Sequence, residues 1–223
     1  MNNKFTFVKA PDDRLSSCLV CMVCADIDKP EKSPPELEKM LMALVQRRAA
    51  KLFPPAELKE AVRAMLRAGG FKPAGRQKPA SEYLAQAARE GRFPLINGPV
   101  DCNNLLSLES GLPISLLDSS GLHAGVVLRI CTEGESYVFN QSGQEMDLNG
   151  LLCICNAEGR PLGNPVKDSM AAKLTESSKE AAGFIFAPRA IHNADSLRLL
   201  GERFAMLLES YCGARNSRVE AVI

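Results

Sequence analysis

The 223-residue chain has no tryptophan, three tyrosines and two histidines. It also has no apolar run approaching the roughly 20 residues of a membrane-spanning helix, so neither a transmembrane segment nor a membrane partner is expected. No apolar segment follows the opening Met1-Asn2-Asn3-Lys4-Phe5, so no secretory signal is expected, and a cytoplasmic protein is the simplest reading. Three familiar chemical signatures are missing: G-x-S-x-G, G-x-x-x-x-G-K-[ST] and H-E-x-x-H. His123 lies in a turn before a strand and His192 ahead of a helix cap, and both read as surface or supporting residues rather than general bases. There is no internal repeat and no low-complexity segment. With 46% hydrophobic and 24% charged residues, the composition excludes a mainly disordered chain.

Charge is nearly balanced overall at +1 but unevenly placed. Residues 1–100 hold 17 Lys/Arg against 11 Asp/Glu, and residues 101–223 hold 10 against 15. A basic first half on a neutral protein fits either a phosphate-binding face or simply solvated helix surfaces. The eight cysteines include Cys18, Cys21 and Cys24 at C-x-x-C-x-x-C spacing, but within Leu19-Val20-Cys21-Met22-Val23-Cys24-Ala25. That run is a buried strand, not the tight polar turn a zinc site needs. Cys153 and Cys155 in Leu151-Leu152-Cys153-Ile154-Cys155 read the same way. The thiols are therefore expected to be small core hydrophobes, with no metal and no cofactor.

A strand is expected at 18–26, then a proline-broken loop at 28–35. Leu37, Met40, Leu41, Leu44 and Val45 form one helical stripe, and Leu58, Ala61, Val62, Met65 and Leu66 a second, stopped at Gly69-Gly70. A third short helix begins near Ser81, and 103–111 is also helical. Strand-like runs follow at 124–132, 136–140, 151–155 and 183–187, with Asn140-Gln141-Ser142-Gly143 as a hairpin turn. A long helix at 194–212, capped by Asn193 or Asp195, buries Leu197, Leu200, Phe204, Leu207, Leu208 and Tyr211. The class is α+β, read as one domain over 1–223: a strand and helical lead-in (15–92), a β-rich core with a pocket (93–190) and a C-terminal helix (191–215).

The informative stretch runs from Phe93 to Asp118, where Asp101, Asn103 and Asn104 crowd three hydrogen-bonding side chains beside a helix start. Taken alone, they read first as caps that brace the helix start and its loop, with a ligand site as the alternative. Val100-Asp101-Cys102-Asn103-Asn104, then Gly111-Leu112-Pro113 and Asp118, resembles the V-D-x-T-N … G-x-P-x-H-x-x-D run of the B-three/B-four editing domain of the bacterial phenylalanyl-tRNA synthetase beta subunit. Gly125-Val126-Val127-Leu128-Arg129, Glu133-Gly134-Glu135 and Leu151–Asn156 resemble its later strands and turn, and Lys173–Lys179 stands at its V-x-x-x-T segment. Free-standing relatives of that domain are more similar still, with a lead-in like Phe71–Ser81 and a long last helix.

The resemblance implies a β-rich, sandwich-like core of the B-three/B-four type and a pocket that hydrolyses mischarged aminoacyl-tRNA with positioned water and no metal. Carried over by position, the pocket residues are Asp101, Asn103, Asn104, Pro113, Ser115, Asp118, Asp168 and Thr175. Ser115 stands where the synthetase has histidine and Asn103 where it has threonine; Asp168 either recognises a polar group or caps a turn. No catalytic residue is assigned.

The synthetase's other modules are absent, so aminoacylation is not expected. Lys59, Arg63, Arg67, Lys72, Arg76 and Lys78 form the candidate RNA-binding face, with Phe71 as its one ring. The expected partner is tRNA or aminoacyl-tRNA rather than DNA, and self-association stays open. Three functional readings follow: a deacylase acting in trans, a non-catalytic RNA or amino-acid binding module, and a small-molecule binder or hydrolase without RNA.

Overall fold

The computed structural model describes residues 5–28, 30–122 and 125–223; His123 lies outside them. The chain order is β1 (Thr6–Lys9), β2 (Cys18–Asp26), α1 (Pro35–Ala49), α2 (Ala56–Arg67), α3 (Ala80–Arg89), α4 (Gly98–Ser110), β3 (Ile114–Asp118), β4 (Gly125–Ile130), β5 (Ser136–Val138), β6 (Glu145–Asp147), β7 (Leu152–Asn156), β8 (Pro161–Gly163), β9 (Glu180–Pro188), α5 (Ala194–Cys212) and β10 (Arg215–Val222). The mixed α+β class and the long C-terminal helix are as the sequence indicates.

Two four-stranded sheets form the centre. One is ordered β10-β2-β9-β3 and is antiparallel throughout; the other is ordered β1-β4-β7-β8, with β1 parallel to β4. β2 and β9 pair over nine residues, from Cys18 opposite Pro188 to Asp26 opposite Glu180. Eight of the nine β2 residues are buried, because both faces of that strand are covered and its apolar run does not alternate. Phe7 on β1 meets Phe184 on β9 edge to face, ring centroids 5.7 Å apart, which brings the sheets together face to face. On the other side α5 lies so close that a Cβ on Gly183 of β9 would stand 2.3 Å from the Phe204 ring. All the cysteines are free, and seven of the eight are buried, the small core residues their apolar surroundings call for.

Two strands of the first sheet, β2 and β10, come from outside the 93–190 stretch expected to hold the β-rich core. β10 extends past the expected end of the C-terminal helix at 215 and packs its edge on β2. Its residues Arg215, Asn216, Ser217, Arg218, Val219 and Glu220 are mostly polar, so they give no apolar alternation to read. The hairpin turn falls where expected, joining β5 to β6. Asn193 caps α5 reciprocally with Ser196. Among the described residues, no helix is long and apolar enough to cross a membrane.

Candidate functional site

α4 is the helix on which the site is built. Asn97 caps it by accepting the Val100 N–H at 3.1 Å, Pro99 sits in the first turn where it loses no helical bond, and Gly111 closes it at φ 78°. The helix packs against α1, α3, α5 and β3, so ten of its thirteen residues are buried. Polar groups inside such a helix must find partners or bear the cost of desolvation. Asp101 finds them. The Ser33 hydroxyl donates to its Oδ2 at 2.6 Å, and the Ile96 N–H donates to Oδ1 at 3.0 Å. Burial nevertheless raises its pKa above the ordinary value.

Asn103 and Asn104 are different. They are 8% and 7% exposed, and neither side chain hydrogen-bonds to a described residue. Asn103 Oδ1 in particular is fully buried without a donor. Both residues line a cleft of about 690 Å³ between α3, α4, β3 and the loop around Val166–Asp168. Leu84, Ala87, Ile114, Leu116, Val166 and Leu174 supply apolar wall. Lys167 and Lys173 add positive charge to the lining, Arg92 adds a guanidinium paired with Glu90, and Tyr83 an aromatic ring. Lys167 is held by its Nζ lying 4.0 Å from the Phe139 ring centroid, and Lys173 by donating to the Phe139 carbonyl at 2.8 Å. Burial, with Arg76 close by, lowers the Lys167 ammonium below its usual pKa.

Asp168 also lines the cleft, but its carboxylate is engaged with the protein. It accepts the Asn164 N–H at 3.3 Å and interacts with the Ser115 hydroxyl and the Leu116 amide. Burial outweighs these bonds and raises its pKa to about 6. The geometry is that of a turn cap, one of the two roles open from the sequence. Ser115 is fully buried on β3 between cleft-lining Ile114 and Leu116, and donates to the Asn164 carbonyl at 3.1 Å. It therefore presents its hydroxyl to the loop and not to the cleft.

Three more sequence candidates lie off the cleft. Pro113 is buried, with its carbonyl taking the Phe186 N–H at 3.1 Å. Asp118 accepts the Ser178 hydroxyl at 2.5 Å, and Ser178 in turn accepts the Thr175 N–H at 2.9 Å. Asp118 and Thr175 thus belong to one polar clasp that pins the segment ahead of β9. His192 contacts the Ser196 hydroxyl at 3.5 Å beside the α5 cap, and burial lowers its pKa.

The basic lead-in is largely engaged within the protein. Arg63 forks onto Glu82 with two contacts of 2.7 Å, Lys59 lies 3.7 Å from the same carboxylate, and Arg67 pairs with Glu60. Lys78 donates to the Gln86 side chain and stands 4.5 Å from the Tyr83 ring centroid. Lys72 and Arg76 are exposed, with no ion-pair partner among the described residues. The sequence missed Arg92, Lys167, Lys173 and Asn164. Asn164 is the organiser of the Val166–Asp168 loop: its Oδ1 takes the Val166 and Lys167 N–H groups at 2.8 and 3.0 Å, and its amide donates to Tyr137. An Asn-Pro pair ahead of two charged residues was the available signal. Among the described residues no three His, Cys, Asp or Glu side chains converge as metal ligands.

No protein-family model matches the chain, and no curated protein matches it in sequence. Among solved structures, it is similar to an N-terminal fragment of the phenylalanyl-tRNA synthetase beta-subunit from Pyrococcus horikoshii, at 11% identity and a TM-score of 0.49. That match covers 96% of this chain and 50% of the fragment, so the chain spans about half the length of the structure it matches.

Proposed function

We propose that the cleft receives the aminoacyl end of a tRNA and that the protein hydrolyses the ester of mischarged tRNA in trans. The observation that carries this reading is the pair of neighbouring asparagines, Asn103 and Asn104, lining a largely apolar cleft with no side-chain hydrogen bond to a described residue. The buried Asn103 Oδ1 has no donor and costs stability, and the Asn104 amide beside it stands open to a ligand offering donors and acceptors. An aminoacyl ester offers an ammonium, a carbonyl and an adjacent ribose. The resemblance of the Val100–Asn104 and Gly111–Asp118 segments to the editing domain supplies the chemistry, and Lys167 and Lys173 give a positively charged approach for phosphates.

In this reading the Asn103 and Asn104 side chains orient the ester and the Asn104 amide donates to the developing oxyanion, while water adds to the carbonyl, the ester C–O bond breaks and the water's proton passes to the leaving ribose oxygen. No imidazole or thiol lines the cleft among the described residues, and Asp168 is held by its own loop. These features favour a second reading: binding of the same ligand without turnover. The experiment that separates the two is incubation of the purified protein with tyrosyl-tRNA(Phe) and a panel of other charged tRNAs, following the charged fraction. Its decline supports hydrolysis. Stable esters that are nonetheless bound support the second reading, and stable esters that are not bound reject both.

A further inference from the structure

A second cleft of about 390 Å³ lies between α2 and α3 and shares no lining residue with the asparagine cleft. Its charged residues are Lys59, Arg63, Lys78, Arg89 and Glu82, four cations against one carboxylate. Glu82 is buried and is matched by Arg63, whose fork engages both of its oxygens at 2.7 Å. The remaining charge is matched only at longer range, by Glu60 toward Arg63 and Glu90 toward Lys78, and both of those carboxylates pair with other arginines, Arg67 and Arg92. Lys59 reaches only the already paired Glu82, at 3.7 Å. Arg89 donates to the Phe53 carbonyl at 3.2 Å, and neither it nor Lys78 ion-pairs with a described carboxylate. Cations gathered in a concave site repel one another unless a counter-charge enters.

We infer that this cleft is a phosphate-binding site. The charge left without a close partner of its own exceeds the single negative charge a carboxylate ligand brings, and suits a phosphate carrying close to two. Arg89 offers a planar fork for two phosphate oxygens, with Lys59 and Lys78 as point charges beside it. The phosphate belongs either to a nucleic-acid backbone or to a small phosphorylated molecule. The inference does not rest on the aminoacyl reading, because inorganic phosphate alone is a sufficient probe.

The test is calorimetric titration of the full chain with inorganic phosphate and, separately, with uncharged tRNA at low salt. It compares the wild type with Arg89→Ala and Lys78→Ala/Arg89→Ala. Arg89 is exposed at a helix end, so its loss leaves the core intact, and circular dichroism melts verify this. Arg198→Ala, exposed on α5 and outside the cleft's lining, controls for lost net charge. Phosphate affinity at least about tenfold weaker in Arg89→Ala than in Arg198→Ala establishes the site for phosphate itself. A loss confined to tRNA, with a shallower salt dependence, assigns the phosphate to a strand. Equal affinities of Arg89→Ala and Arg198→Ala for both probes overturn the inference.

Discussion

Arg63 on α2 and Glu82 on α3 form a two-pronged ion pair, with the guanidinium Nε and an Nη nitrogen each 2.7 Å from a carboxylate oxygen. The pair staples two helices nineteen positions apart, with one partner buried. Arg63 therefore serves the fold first, although its spacing with Lys59 and Arg67 reads as an open basic face.

Replacing Arg63 with alanine leaves the Glu82 carboxylate buried with only Lys59 nearby. The pair lies between the buried and exposed limits, so the expected loss is about 2 kcal/mol of unfolding free energy, measured by urea titration. Recovery of that loss in Arg63→Ala/Glu82→Gln identifies the stranded carboxylate as its source.

Arg129 and Glu135 are a second such pair, with contacts of 2.9 and 2.5 Å, and Arg129 also donates to the Gly159 carbonyl at 2.6 Å. The bond from Arg129 holds the Glu135 carboxyl down at about 2. A lowered carboxylate pKa gives stability that is present above the unfolded value and lost as pH falls through the folded one. The stability gap between wild type and Arg129→Met is therefore expected to hold steady near neutrality and close between about pH 5 and pH 2, read by denaturation at stepped pH.

Asp168 has the opposite sign. Burial raises its pKa to about 6, so the folded state holds the proton more tightly than the unfolded chain. Its contribution is fully present below the ordinary aspartate value and lost as pH rises through about 6. Wild type is expected to lose stability relative to Asp168→Asn over that window, and parallel pH profiles for the two proteins reject the assignment.

Asn103→Ala is expected to change stability by no more than about 1 kcal/mol, because it removes a buried oxygen that has no donor. Ligand binding is expected to fall at the same time. Asp101→Ala makes the contrast: it strands the Ser33 hydroxyl and the Ile96 N–H and is expected to cost about 2–3 kcal/mol. Thermal melts of both variants check the pair of outcomes.

Much of the fold was legible because its signals are periodic. The stripes of α1, α2 and α5, and the apolar run of β2, each report one buried surface. β10 was not legible, since its polar residues sit on a sheet edge where pairing, not burial, holds them. Asn103 and Asn104 stand out in the sequence by their crowding near an expected helix start, and the resemblance places them at a pocket; the structure starts the helix at Gly98 and sets both in its middle, lining the cleft. Asp101 has the same crowding and a different role, because only the fold reveals that Ser33 and Ile96 satisfy it. The partner of Arg63 was hidden for the same reason: Glu82 lies on another helix, beyond the reach of a local charge count.

The most direct test of the central claim is the rate of aminoacyl-tRNA hydrolysis by wild type beside Asn103→Ala/Asn104→Ala, with both proteins shown equally folded by thermal melting. The account predicts loss of the charged fraction with wild type, slowed at least about a hundredfold in the double variant, since both the ester and the oxyanion lose a partner. Equal rates for the two folded proteins would contradict it, and would move the chemistry out of the asparagine cleft.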